Sequence, residues 1–393
     1  KKIQSLLFAL TVALVLPTLT ATAQTTHDAR HRATATIIAD GLAQLPAKDA
    51  TVFNTVMNEI ASTGAAGVQS LADMLVPATE GKNATVEYAL AGLAAYVTDK
   101  DHAALRKNVR EGIKASLAKC TDNPNKAFLI SLLQQCGTAE DAPVLVSYLY
   151  DEYLADFAIR ALISIPGTDA DIMSLFAAEK IPSCAIYAVE KKKLTAAEPV
   201  LLELEKENVA NNPDYLTTDM MFGLTGITML GLGELGKKEW NPIVLASIYS
   251  ALGEMGTKAS LLTLSRAAKE VNYTSEITNA YESYMKLLNR LAADPSASKD
   301  AVHQARLLWK DKKLPANVHG AAFEVLVKAL GKDALPYLYK DLKNPDIEVR
   351  NAALLNISPL ADDAVCAEIA KQAEKAAGLL IFFFMSSSVY LPE

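Results

Sequence analysis

Residues 231–236 read GLGELG, which fits G-x-G-x-x-G. That spacing belongs to a loop whose backbone approaches a dinucleotide pyrophosphate. The chemistry needs a strand before the glycines and a helix that starts within them, because free N–H groups and the positive helix end hold the phosphates. Neither flank provides this. Upstream, Met220, Leu224 and Ile227 keep helical spacing, and downstream KKEW intervenes before a helix predicted to start at Asn241-Pro242. Glu254 stands at the chain distance of a ribose-binding acid, but on a predicted helix. The favoured reading is a helix fraying into a glycine-rich turn, so no cofactor is expected. Residues 206–240 interrupt the rhythm described below and are expected to be a bent or inserted segment.

Other reactive residues are scattered. His27 and His31 are four apart with Asp28 between them, a spacing that puts two imidazoles on one helix face for a metal. They lie close to the chain start, where a solvated HDARHR face is the ordinary outcome. His102, His303 and His319 stand apart, and neither H-E-x-x-H nor G-x-S-x-G occurs. Cys120, Cys136, Cys184 and Cys366 form no C-x-x-C pair, which leaves a structural zinc site without support. If Cys120 and Cys136 sit on consecutive antiparallel helices, their sulfurs are too far apart to bond, and small buried thiols are expected. Asp156 with Arg160 and Asp346 with Arg350 each have i, i+4 spacing. They are candidates for acid–base or carboxylate binding, but local ion pairs within a repeat are favoured. Among the tyrosines, Tyr148, Tyr281, Tyr284 and Tyr339 fall on apolar stripes and read as core. Tyr150, Tyr153 and Tyr337 fall off them and are the candidates for a binding surface.

The elements that must position these residues follow one template. Apolar residues recur at i, i+3, i+4 and i+7, one face of an α-helix. Val86, Ala89, Leu90 and Leu93 match, as do Leu129, Leu132, Leu133 and Cys136. Further along, Ile248, Ala251, Leu252 and Met255 repeat it, and so do Phe323, Leu326, Val327 and Leu330. No sustained period-2 alternation stands out. The breaks are short: CGTAED, PGTD, MGTK, LGKD and KNPD. Gly after the last apolar residue predicts left-handed helix C-caps, and Asn344-Pro345 predicts an N-cap followed by proline at the first helical position. The segments GTAEDAPVLVSYL, GTKASLLTLSRAA and GKDALPYLYKDL rhyme, each placing Gly before a short amphipathic helix. Helix pairs that recur in this way predict an α-solenoid.

Residues 334–357, ALPYLYKDLKNPDIEVRNAALLNI, resemble a HEAT repeat, with Val349-Arg350 and Ala352-Ala353 in its second helix. Residues 142–165 match more loosely. Over about 27–360, the segments HDARHRATATIIADGLAQLPAKD, GKNATVEYALAGL and CGTAEDAPVLVSYLYDEYLADFAIRAL are similar to the helical-repeat N-terminal region of exported bacterial proteins. In those proteins the repeats precede a β-sandwich of the 3-keto-disaccharide hydrolase type. The resemblance implies an accessory role beside a carbohydrate-processing domain that this sequence does not contain.

The start of the chain reads as an export leader: Lys1-Lys2, an apolar stretch from Leu6 to Leu16, then Ala21-Thr22-Ala23 with cleavage before Gln24. The initiator Met is missing, which hints at a fragment. A lipid-anchored cysteine is not expected, since Cys120 is the first cysteine. The formal charge of −7 disfavours nucleic acid. Residues 376–393, containing GLLIFFFM, break the pattern and read as an altered or truncated end, too short for a membrane span. The expected protein is therefore an all-α, right-handed solenoid of stacked HEAT/armadillo-like hairpins over 24–375. It is exported to the periplasm or beyond and binds a protein or glycan partner. Without any cofactor or catalysis of its own, it acts as an interaction scaffold, or alternatively as the accessory half of a carbohydrate-processing enzyme.

Overall fold

The structure is a computed structural model and describes residues 33–178, 180–210, 234–235 and 242–375. The stretch expected to be a leader, His27, His31 and the residues after Lys375 lie outside the described residues. The described residues form a fold of the all-α class, in which strand amounts to the two-residue segments Ile181–Pro182 and Glu234–Leu235. Two compact units divide between Ala188 and Val189.

In the first unit the main helices are Ala50–Ser62, Gly64–Ala72, Ala84–Tyr96, Arg106–Leu117, Asn123–Cys136 and Ala155–Ser164. Asp49 and Asp122 begin two of them by accepting the free N–H groups of Val52 and Asn125. The apolar stripes are the core: Val86, Ala89, Leu90, Leu93, Leu129, Leu132, Leu133 and Cys136 are all buried. Packing is local in sequence. Gly64–Ala72 lies against Arg106–Leu117, Ala84–Tyr96 against Asn123–Cys136, and, past the short helix Ala142–Val146, Asn123–Cys136 against Ala155–Ser164, so these contacts join next-but-one neighbours. The first of these contacts needs Gly112, where a Cβ would come within 2.6 Å of Val68 Cβ and 2.7 Å of the Ala65 carbonyl oxygen.

The second unit repeats the arrangement with Pro242–Met255, Leu261–Glu270, Ala280–Ala292, Ser298–Lys310, Ala316–Leu330, Leu335–Asp341 and Ile347–Leu355. Pro242–Met255 packs on Ala280–Ala292, which packs on Ala316–Leu330, which packs on Ile347–Leu355. The stripe of Ile248, Ala251, Leu252 and Met255 is buried, as are Tyr284, Phe323 and Leu326.

Several local expectations are corrected. Gly137 is extended (φ −67°, ψ 165°) rather than left-handed, and Gly256 has no positive φ either. Glycine is needed at both for another reason. The Gly137 N–H donates to the Leu133 carbonyl, the Gly256 N–H donates to the Leu252 carbonyl, and a Cβ at either would lie 2.3 Å from that oxygen. Gly331 has positive φ, at 56°, but its ψ of −131° also lies outside the left-handed helical region. Asn344 is not the cap of the helix that follows it. It accepts from the Asp346 N–H, and Asp346 caps Ile347–Leu355 by accepting from Glu348. Cys120 and Cys136 do not sit on consecutive helices. They flank the two ends of Asn123–Cys136, whose 14 residues hold them apart by about 20 Å. Cys136 and Cys184 are buried, Cys120 is partly exposed and Cys366 is exposed.

Candidate functional site

Of GLGELG, only Glu234 and Leu235 fall among the described residues, as a two-residue strand. Glu254 belongs to the Pro242–Met255 helix and is ion-paired with Lys286. That hydrogen bond holds its carboxyl below the usual carboxylate range. The residue is thus engaged by its neighbouring helix.

The two Asp-x-x-x-Arg pairs part company. Arg160 grips Asp156 through both ends of its fork, Nε to Oδ1 at 2.9 Å and Nη2 to Oδ2 at 2.8 Å. Arg350 does not reach the Asp346 carboxylate, because Asp346 is occupied as the cap. Its Nη1 donates instead to the carbonyls of Asn344 (2.6 Å) and Pro345 (3.0 Å).

The charged groups buried most deeply were not singled out by spacing. Asp141 is fully buried at the end of the GTAED turn. It accepts from Arg110 Nε at 2.6 Å and Nη2 at 2.9 Å, pairs with Lys114 at 2.9 Å, and takes the Thr138 N–H. Burial opposes its charge, yet these donors outweigh burial and hold its carboxyl below the ordinary range. The corresponding GTKAS turn is held by a carboxylate from elsewhere: Glu198 accepts from the Thr257 N–H (2.7 Å), Thr257 Oγ1 (2.8 Å) and Ser260 Oγ (2.5 Å). Each turn also has an arginine clamp. Arg106 donates to the Cys136 and Gly137 carbonyls, and Arg290 to those of Gly253 and Gly256. These groups fasten turns to helices, so their chemistry is structural.

Two clusters bear on the tyrosines expected to form a binding surface. The first gathers three exposed aromatic residues within 150–157: Tyr150, Tyr153 and Phe157. Each is fixed. The Tyr150 hydroxyl donates to the Lys180 carbonyl at 2.8 Å. Asp151 Oδ1 accepts the N–H groups of Tyr153 and Leu154, making an Asx turn that sets the Tyr153 backbone. Phe157 lies in the first turn of Ala155–Ser164, with its ring stacked on Tyr153 at 6.2 Å and 23°. Asp156 and Arg160 flank it. The result is an exposed aromatic shelf of three rings, two of them stacked, edged by carboxylates and a guanidinium. Tyr150 and Tyr153 of the candidate surface meet here. Phe157 was missed because one residue off an apolar stripe does not stand out in sequence.

Tyr337 is elsewhere, in the second unit. Its hydroxyl accepts from Arg306 Nε at 2.7 Å, and its ring meets Trp309 edge-on at 4.8 Å and 83°. Asp341, 2 % exposed, lies beneath. It takes Trp309 Nε1 at 2.7 Å and His319 Nε2 at 2.9 Å. His319 was read as isolated, but the fold brings it to this carboxylate.

A cavity of about 290 Å³ opens in the first unit among Leu75, Ser116, Cys120, Thr121 and Asp122. That is the lower end of the size of small-molecule pockets. Its rim charges pair with each other, Lys119 with Asp73 at 3.7 Å. No group of three or more potential metal ligands occurs among the described residues, and none of their helices is long and apolar enough to cross a membrane. Comparison with protein-family models gave no match, and comparison with curated proteins gave none.

Proposed function

We propose that this chain is an exported, non-catalytic α-solenoid of stacked hairpins that acts as an interaction scaffold, with a carbohydrate as the ligand of its first unit. The observation that carries the proposal is the shelf of Tyr150, Tyr153 and Phe157. Exposed tyrosine and phenylalanine rings gathered within eight residues offer apolar surface to the faces of sugar rings. Asp151, Asp156 and Arg160 stand beside them as partners for hydroxyl groups. Side chains already fixed by the Lys180 carbonyl and the Asx turn lose little freedom when a ligand arrives.

Three further observations support the reading. Packing between next-but-one helices, seen in each unit, is the pattern that stacked hairpins produce. The basic and apolar start of the sequence supports export. The buried charges are engaged in holding turns and helices together, which favours a scaffold over a reaction centre. A glycan ligand also suits the alternative, in which the chain serves as the accessory half of a carbohydrate-processing protein.

Calorimetric titration with a panel of neutral oligosaccharides tests the proposal. Saturable binding is expected, weakened about tenfold or more by Tyr153→Ala with Phe157→Ala, since each ring contributes about 0.5–1.5 kcal/mol. The thermal midpoint should barely move, because both rings are half exposed. Absence of binding across the panel, or binding indifferent to both substitutions, overturns the sugar assignment.

A further inference from the structure

We propose that Arg306 and Lys340, mounted on the Trp309–Tyr337 pair of the second unit, form a recognition site for a carboxylate-rich peptide segment of a partner protein. The assignment begins with charge. The chain as a whole is acidic, at −7. Against that background residues 306–313, RLLWKDKK, hold four cations and one carboxylate. The fold adds Lys340 from the Leu335–Asp341 helix, with its Nζ 4.5 Å from the Trp309 ring centre. Arg306 lies 5.9 Å from the Tyr337 ring centre. Two helices thus deliver two cations to one linked aromatic pair.

Neither cation is neutralised. Arg306 and Lys340 have no ion-pair partner among the described residues, and the Arg306 side-chain bond found there spends Nε on the Tyr337 hydroxyl, leaving the terminal nitrogens. The carboxylate of the cluster, Asp341, is buried and committed to Trp309 and His319. Asp341 acts as a positioning residue: it anchors the indole, the indole edge-packs Tyr337, and Tyr337 aligns the guanidinium. Aromatic rings orient both cations without cancelling their charge. A planar guanidinium with free terminal nitrogens matches a carboxylate in shape, while an ammonium adds a point charge.

The geometry favours peptide over sugar. Trp309 is only 6 % exposed and Lys340 lies over its ring. Arg306 stands over the ring of Tyr337, and the edge contact with Trp309 takes more of it. The indole is thus covered and a cation stands over the tyrosine, whereas the rings of the first unit's shelf are exposed. What remains is cationic, and suited to acidic side chains.

Trp309 reports on the site directly. In a Trp240→Phe background it is the sole tryptophan, since the sequence holds two. Hexaglutamate, titrated at low salt, is expected to shift its emission saturably. Arg306→Ala with Lys340→Ala should weaken that binding at least tenfold, whereas the same charge change at Lys299 and Lys328 should alter it less than twofold. Lys340→Arg should retain most of the affinity, which separates a lost charge from a damaged fold. Raising salt should weaken binding steeply, as screening of exposed charges requires. No saturable shift, equal binding by the double variant, or tighter binding of a sulfated oligosaccharide than of hexaglutamate overturns the proposal. None of these readings depends on the first unit's ligand.

Discussion

Asp141 concentrates more bonds than any residue singled out by spacing, and it sits at 0 % exposure. Arg110 and Lys114 lie four apart on one helix turn, and both point to a carboxylate some thirty residues downstream. Removing one partner of a buried pair leaves the other charge stranded, at a cost of about 3–5 kcal/mol. Asp141→Asn is therefore expected to lower stability by that order at pH 7, measured by denaturant unfolding. The sign with pH follows from the depressed folded pKa. The contribution is fully present above the unfolded carboxylate value of about 3.9 and fades as pH falls through the folded value. The gap between wild type and variant should begin to narrow below about pH 4 and close only once pH falls below the folded value. A gap that persists unchanged into acid would show that packing, not charge, sets the loss.

At the scale of elements, the helices were legible and their fastenings were not. The stripe through Leu129, Leu132, Leu133 and Cys136 appears in sequence because burial repeats every three to four residues, and all four are buried. Arg106 carries no such mark. Its partners, the Cys136 and Gly137 carbonyls, are backbone groups thirty residues away, and any residue type supplies a carbonyl. Gly137 was read correctly as punctuation but for the wrong reason, since a close carbonyl and not a positive φ demands it. Asp346 was assigned to Arg350 because spacing cannot tell an ion pair from a cap. The aromatic shelf was visible through Tyr150 and Tyr153, whereas Phe157 and the Trp309–His319–Asp341 cluster needed the fold to bring them together. Gly137→Ala and Gly256→Ala should each destabilise by about 1–3 kcal/mol, the usual cost of forcing extra atoms into a packed site. Thermal unfolding checks this, and an unchanged midpoint in either variant would refute the reading.

On the scale of the whole molecule, contacts run mainly between helices one or two apart in sequence, within each unit. Such a chain need not unfold in one step, because damage in one stretch is not felt directly by distant ones. The thiols give this a readout. Cys136 and Cys184 are buried in the first unit, and burial pushes each thiol up to about 12. Trp309 reports on the second. In the Asp141→Asn background, labelling of Cys136 should begin at lower denaturant than the change in Trp309 emission. Cys366, which is exposed, should react in the native protein. Coincident transitions in the variant would make the two units one cooperative body.

The arginine clamps also limit how this protein can be cut, copied or recombined. For the turn at Gly137 the clamping residue lies upstream, at Arg106, and for the turn at Gly256 it lies downstream, at Arg290. A single hairpin lifted out at either place leaves its turn carbonyls behind without their donor, or takes the donor from a turn that stays. The smallest portable module is therefore a hairpin together with one specific neighbour, and that neighbour is on opposite sides in the two units. Duplication or grafting that respects only the glycine punctuation would separate each clamp from what it holds.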